Sequence, residues 1–364
     1  PRRLFPLYLM EVLSMLVWLL LLVVACASLV LTGVLRRYAL SRSLLDIPGS
    51  RSSHSVPTPR GGGVAIVLSF LLALPLLTAL GWLSWPLLWA LLGAGAGVAV
   101  LGFIDDHRHV AARWRLLGHF AAAFWVLFWL DGAPPLRFLG TDVQLGWLGV
   151  GLAALYLVWL LNLYNFMDGI DGLASIEAIC VGLGAALLAL LVSAGSASQL
   201  LDSGDANLLG LYLAPLLLAA AVLGFLCWNF PPARIFMGDA GSGFLGISIG
   251  VLSLQAAWAA PQLLWSWLIL LGVFIVDATW TLMRRLLRGD KLYEAHRSHA
   301  YQYAARRYGG HLPVTLTVLA INLLWLLPIA GAVALGVVDG LAGLLLAYLP
   351  LGVLAARFRA GGLE

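Results

Sequence analysis

The chain has 364 residues, 62% of them hydrophobic and 10% charged, with a net charge of +4 and a mean hydropathy of +0.97. Soluble domains carry about 25% charged residues, so a water-exposed globular surface is excluded and the bilayer is the expected solvent. Cys26, Cys180 and Cys227 lie in apolar stretches without CxxC or Cys/His spacing, which argues against a zinc site, and no basic run interleaved with aromatics points to nucleic acid.

A helix needs about 20 apolar residues to cross the hydrocarbon core. In chain order such stretches occupy residues 12–35, 63–80, 86–103, 116–130, 147–163, 174–192, 208–227, 241–260, 263–282, 312–335 and 341–356. The fold class expected is an all-α polytopic membrane protein with eleven transmembrane helices, or ten if the short fourth or last stretch does not cross. The stretches recur to the end, so residues 1–364 read as one integral membrane domain. Placing the loop after the first span in the cytoplasm puts 18 of the 21 Arg and Lys residues on that side, leaving Arg2, Arg3 and Arg137 on the other. The positive-inside rule then predicts an N-out, C-in topology. Outward loops such as 195–207 hold few residues suited to chemistry.

The polar residues fall in four clusters on the predicted cytoplasmic side, which places the active site on the cytoplasmic loops. Asp105 and Asp106 close the third span in Gly102-Phe-Ile-Asp-Asp106. Asn162, Asn165, Asp168 and Asp171 follow the fifth. Asn229 and Asp239 flank the turn into the eighth in Asn229-Phe-Pro-Pro-Ala-Arg-Ile-Phe-Met-Gly-Asp-Ala-Gly-Ser-Gly243, and His296 and His299 lie in the loop after the ninth. Adjacent ionised carboxylates near lipid repel and are costly to desolvate. A hard divalent cation, Mg²⁺ with Mn²⁺ as the alternative, offsets that cost through oxygen ligands and leaves positions for phosphate oxygens. One pair alone, Asp105 and Asp106, is explained as well by a helix cap paired with Arg108; four clusters on one side are not.

Gly238-Asp-Ala-Gly-Ser-Gly243 and Arg60-Gly-Gly-Gly63 each open a predicted helix, whose free N–H groups favour anions. Neither is a Walker A sequence or follows a strand, so the soluble nucleotide-binding folds are excluded. His107, His109, His119 and His311 read as ordinary interfacial residues, whereas His54 and His299 are candidates to contact phosphate. Asp277, inside the ninth span, is expected to pair with a nearby Arg for structure. A transporter is the alternative class, although its ionisable residues would be expected near mid-membrane.

The segments 46–54, 57–63, 102–106, 162–173, 229–243, 277–285 and 296–299, in this order and spacing, resemble the polyprenyl-phosphate N-acetylhexosamine-1-phosphate transferases, the MraY/WecA/WbpL group. The match spans about residues 40–305. The resemblance implies an Mg²⁺-dependent enzyme of a bacterial cytoplasmic (inner) membrane. Such an enzyme moves a sugar-1-phosphate from a UDP-N-acetyl sugar to undecaprenyl phosphate and releases UMP. By position, the resemblance makes Asp239 a metal ligand and Asp105 and Asp106 the paired aspartates that share the metal, one of them a base. It adds Asp168 and His299 as catalytic, and His54, Arg60, Asn165, Asp171, Asn229, Phe236 and Arg297 as substrate-binding, with Phe236 stacking on uracil. A homodimer is left open. Where relatives carry adjacent histidines, this chain reads His299-Ala-Tyr-Gln302, and His54 stands where the MraY branch has lysine. Both departures argue against a muramoyl-pentapeptide substrate; the pattern around His54 resembles the WecA side, and the His296–Gln302 segment resembles the WbpL branch, which initiates O-antigen chains. The sugar implied is a 6-deoxy N-acetylhexosamine such as FucNAc or QuiNAc, or GlcNAc.

Overall fold

The computed structural model describes residues 4–49, 53–54, 56–108, 110–193, 204–290 and 296–362. Arg2, Arg3, His109 and most of the 195–207 loop lie outside the described residues, as do Arg51 and Lys291. In chain order the helices are α1 (Leu4–Ser41), α2 (Val64–Ala79), α3 (Trp85–His107), α4 (Ala112–Trp129), α5 (Gly146–Met167) and α6 (Leu173–Val192). They continue as α7 (Ala206–Asn229), α8 (Asp239–Ala259), α9 (Gln262–Leu270), α10 (Gly272–Arg288), α11 (Ala300–Arg307), α12 (His311–Ala334) and α13 (Gly340–Arg357). Two short antiparallel hairpins, Leu45–Asp46 with Thr58–Pro59 and Leu136–Phe138 with Thr141–Val143, are the described sheet.

Each predicted span lies on helix. Among the described residues, eight helices are long and apolar enough to cross a membrane, or nine if α9 and α10 form one span, so the chain is an all-α, multi-pass membrane protein. Two of the eleven fall short of that test: α2 has 16 residues, and α4 carries Arg113, Arg115 and His119 in its 18. The predicted ninth span is not one straight helix but α9 and α10, bent by 74° at Leu271. The break leaves free N–H groups at the start of α10 inside the protein. Glu177 of α6, fully buried, lies beside the Phe274 backbone there and accepts a hydrogen bond from Asn322 Nδ2 at 2.6 Å. Asn322 itself opens a π-helical turn within α12.

Local chemistry sets several ends. Asp205 and Asp339 cap α7 and α13, each accepting from two backbone N–H groups of its first turn. The centre of the molecule is α8, whose most apolar stretch is entirely buried, against 22% for α1. Small residues make that position possible. A Cβ on Gly246 would lie 2.6 Å from Leu160 O, and one on Gly102 would lie 2.6 Å from the backbone of Asp239 and Ala240. Glycine therefore lets α5 and α3 touch α8 backbone to backbone. Because helix directions alternate, the C-termini of α3, α5 and α7 and the N-termini of α6, α8 and α12 share one end of the bundle. The functional residues lie there.

Candidate active site

Asp106 and Asp239 meet because α3 ends where α8 begins. Gly238 has φ +79°, a conformation suited to glycine, and turns the chain into α8 with Asp239 as first residue. The Asp106 carboxylate, 8% exposed, sits on that helix start and accepts from Asp239 N at 3.3 Å and Ala240 N at 3.4 Å. An anion at a helix N-terminus is favoured by the free N–H groups and the dipole. Arg60 reaches the same place from the Thr58–Pro59 hairpin and donates to the Asp106 carbonyl. Asn165, in the last turn of α5, donates to Asp239 Oδ1 at 2.8 Å and Ser242 Oγ at 3.0 Å.

These residues line a cavity of about 270 Å³. Its wall includes Asp106, Asn165, Asp168, Asp171, Asn229 and Asp239, together with His54, Arg60 and Phe236. Asp168 follows α5 directly, and among the described residues no hydrogen-bond donor reaches its carboxylate. Burial raises its pKa well above the usual carboxylate range, and the nearby Asp239, Asp106 and Asp171 raise it further. Asp171 is treated in the opposite way. Burial acts to raise its pKa, but His311, 3.1 Å away through Nδ1, and the Ala233 N–H, at 2.9 Å, outweigh it and hold the carboxyl below its usual value. His54 packs edge-on against Phe236 with ring centres 4.9 Å apart. Asn229 lines the cavity, yet its amide is spent on the backbone: Oδ1 accepts from Gly172 N at 3.0 Å and Nδ2 donates to Ile235 O at 3.0 Å.

The structure does not bring every predicted residue to the cavity. Asp105 faces away: its Oδ2 is paired with Arg115 at 2.6 Å and its Oδ1 accepts from Val110 N. The ion pair expected with Arg108 is thus made with Arg115 of α4. Asn162 bonds Val158 O within its own helix. His299 is 3% exposed and stands outside the cavity wall, 3.3 Å from Asp277 through Nδ1. Arg297 is likewise absent from the wall, and its carbonyl accepts from Arg306. Asp277 does play a structural part: among the described residues its two oxygens accept from Ala300 N at 2.9 Å and Tyr301 N at 3.0 Å, capping α11, in place of the expected arginine pair.

Conversely, His311 and Gln302 line the cavity although the sequence singled out neither. His311 was read as interfacial because its partner Asp171 lies 140 residues earlier. The one signal that could have found it is the Gly-Gly-His start of α12, which puts it at the same bundle end as the aspartates.

As a cation site, the wall offers the carboxylate oxygens of Asp106, Asp168 and Asp239, donors of the hard type that Mg²⁺ prefers. Asp168 supplies a half-buried carboxylate that no donor among the described residues satisfies, which fits such an ion. Among the described residues no three carboxylates or imidazoles are gathered into a closed coordination shell. The residues that line the cavity lie at one end of the bundle, whereas a transporter's substrate site is expected near mid-membrane.

The profile of Glycosyl transferase family 4 matches residues 88–257, the stretch that carries Asp105 through Asp239. A probable undecaprenyl-phosphate N-acetylglucosaminyl 1-phosphate transferase of Bacillus subtilis is 31% identical over 279 residues, 75% of this chain and 73% of that protein. A decaprenyl-phosphate N-acetylglucosaminephosphotransferase of Mycolicibacterium smegmatis is 31% identical over 305 residues, 76% of this chain and 73% of that protein. A phospho-N-acetylmuramoyl-pentapeptide-transferase of Kocuria rhizophila is 31% identical over 284 residues, 68% of this chain and 74% of that protein.

Proposed function

Because this chain belongs to the polyprenyl-phosphate N-acetylhexosamine-1-phosphate transferases, we propose that its donor is a UDP-N-acetyl sugar and its acceptor undecaprenyl phosphate. The observation that carries the proposal is the cavity itself, where Asp106, Asp168 and Asp239 arrive from three helix ends beside Arg60, His54 and Phe236. In the reaction an oxygen of the lipid phosphate attacks the β-phosphorus of the nucleotide sugar. The bond from that phosphorus to the bridging oxygen breaks, and UMP leaves with the electron pair.

Asp239 and Asp168 would hold Mg²⁺, which supplies charge neutralisation for the diphosphate when bound. The residues of the chain do the remaining work. Asn165 fixes the Asp239 carboxylate through its 2.8 Å bond. Asp106 secures the start of α8, and Asp105, held by Arg115, steadies the end of α3 instead of touching substrate. Phe236 and His54 form the wall suited to the nucleobase, and Arg60 is the cavity's guanidinium for phosphate oxygens. An apolar groove of about 340 Å³, bounded by Val273, Val276, Val318, Leu351 and Phe358 and reaching Tyr301, offers the carrier's tail a path from the lipid.

The bundle end with the cavity carries most of the arginines, which supports a cytoplasmic orientation in a bacterial inner membrane. The first two relatives described are named for N-acetylglucosamine, which makes GlcNAc the first sugar to test. A 6-deoxy N-acetylhexosamine and a role in starting O-antigen chains come next. The test is UMP release from purified protein given undecaprenyl phosphate and UDP-GlcNAc, UDP-FucNAc or UDP-QuiNAc, with and without EDTA. Lipid-dependent release with one sugar is expected, abolished by EDTA and lowered on the order of 10²–10³-fold in Asp239→Asn. No lipid-dependent release with any sugar refutes the proposal.

A further inference from the structure

Gln302 is the third residue of α11, and only 7% of its surface is exposed. Its side chain accepts from His299 N at 3.2 Å through Oε1, the return bond of a capping box. That bond settles which way the amide points. A backbone N–H needs an acceptor, so the oxygen faces His299 and the NH₂ faces the other way. Gln302 shares the cavity wall with Asp168, Gly169 and Asp171, and with Oε1 engaged, Nε2 is the polar atom it has left to offer there. Among the described residues no protein acceptor takes a hydrogen bond from Gln302 Nε2.

The position of this amide is fixed by its neighbours. Asp277 holds the first two N–H groups of α11, those of Ala300 and Tyr301. The Tyr301 hydroxyl donates to Phe166 O at 3.0 Å and lies where a Cβ on Gly169 would be. The helix that carries Gln302 is thereby tied to both sides of Asp168. A donor held this way needs little ordering when a ligand arrives. Its neutrality also matters. A lysine or arginine beside Asp168 and Asp171 would form an ion pair with them, whereas an amide stays available to an anion.

Resting on the function proposed above, we propose that Gln302 Nε2 is a substrate-contacting donor that binds a phosphate oxygen, of the nucleotide sugar or of the polyprenyl phosphate. The helix-capping bond and the substrate bond use opposite ends of one amide, and two substitutions separate them. Gln302→Glu keeps the shape and the acceptor for His299 N, since Glu also serves a capping box, but faces the cavity with a carboxylate oxygen. Gln302→Met keeps the volume and removes both ends.

Wild-type lipid-dependent UMP release is established first, and its absence counts against the function rather than against Gln302. Steady-state kinetics and melting in detergent are then measured for both variants. A substrate contact predicts kcat/KM in the order Gln, Met, Glu, with Gln302→Glu lowered on the order of 10–100-fold, the worth of a hydrogen bond to a charged group, and its melting temperature near wild type. The KM that rises, for UDP-sugar or for carrier, identifies which phosphate is held. The proposal is overturned if Gln302→Glu matches wild type while Gln302→Met is the weaker enzyme. It is equally overturned if both variants lose activity only in step with their melting temperatures.

Discussion

Asp168 and Asp277 are two aspartates near one end of the bundle, and the chain treats them in opposite ways. Asp277, 6% exposed, receives two backbone N–H groups of α11 and stands 3.3 Å from His299. Asp168 faces a cavity, has no donor for its carboxylate among the described residues, and is surrounded by Asp106, Asp171 and Asp239. A buried carboxylate with satisfied oxygens stabilises structure; one left unsatisfied beside like charges is costly until a ligand completes it. The difference separates scaffold from site without reference to any motif. It also explains why the His299 segment, predicted to bind phosphate, is packed as scaffold, with His299 stacked on Tyr301 and His296 at ring-centre distances of 5.5 and 5.0 Å.

The largest effect expected is in Asp168→Asn. Lipid-dependent UMP release should fall on the order of 10²–10³-fold, the cost of one preorganised charged group, while the melting temperature holds or rises because a like charge is gone. A loss of stability together with activity would break the contrast, by making Asp168 part of the scaffold. Asp277→Asn should show the reverse emphasis. Replacing an oxygen with an NH₂ that faces N–H groups is expected to destabilise the protein by about 1.5–3 kcal/mol, read as a lower melting temperature in detergent, with activity declining as α11 loosens. Unchanged melting would show that the cap carries no weight.

A smaller, pH-dependent effect sharpens the same division. Burial, His299 and Arg285 push the His296 imidazole down to about 3, from an ordinary value of 6.5. Its folded value is depressed, so its contribution to stability is complete above about 6.5 and is lost as pH falls from there toward about 3. The melting temperature should therefore decline through that window, and His296→Gln should flatten the decline. A slope that the substitution leaves untouched would place the acid sensitivity elsewhere.

Much of this was legible in the residues and some was not. Asn165, Asp168, Asp171 and Asp239 were found because carboxylates and amides gather at the ends of apolar helices only where something holds them. The choice between Asp105 and Asp106 was not legible. Adjacent residues on a helix point about 100° apart, and which one faces α8 depends on how α3 is rotated against it. The contact of Gly102 with the Asp239 backbone sets that rotation, turning Asp106 to the helix start and Asp105 to Arg115. His311 and Gln302 escaped notice because their relevance lies in distant partners, Asp171 and the 166–171 turn.

By itself the sequence determined the solvent, the helical class, the recurrence of spans and the gathering of polar chemistry at one end. Those features follow from hydrophobicity and its period along the chain, which are local. Only the tertiary structure decided that the ninth span breaks at Leu271, that His299 and Arg297 stand outside the cavity, and that His311 and Gln302 line it. Each of those outcomes depends on how closely two backbones approach and which unsatisfied groups then meet, as Glu177 meets the start of α10. No local pattern encodes such meetings, because their energy belongs to pairs of segments far apart in the chain.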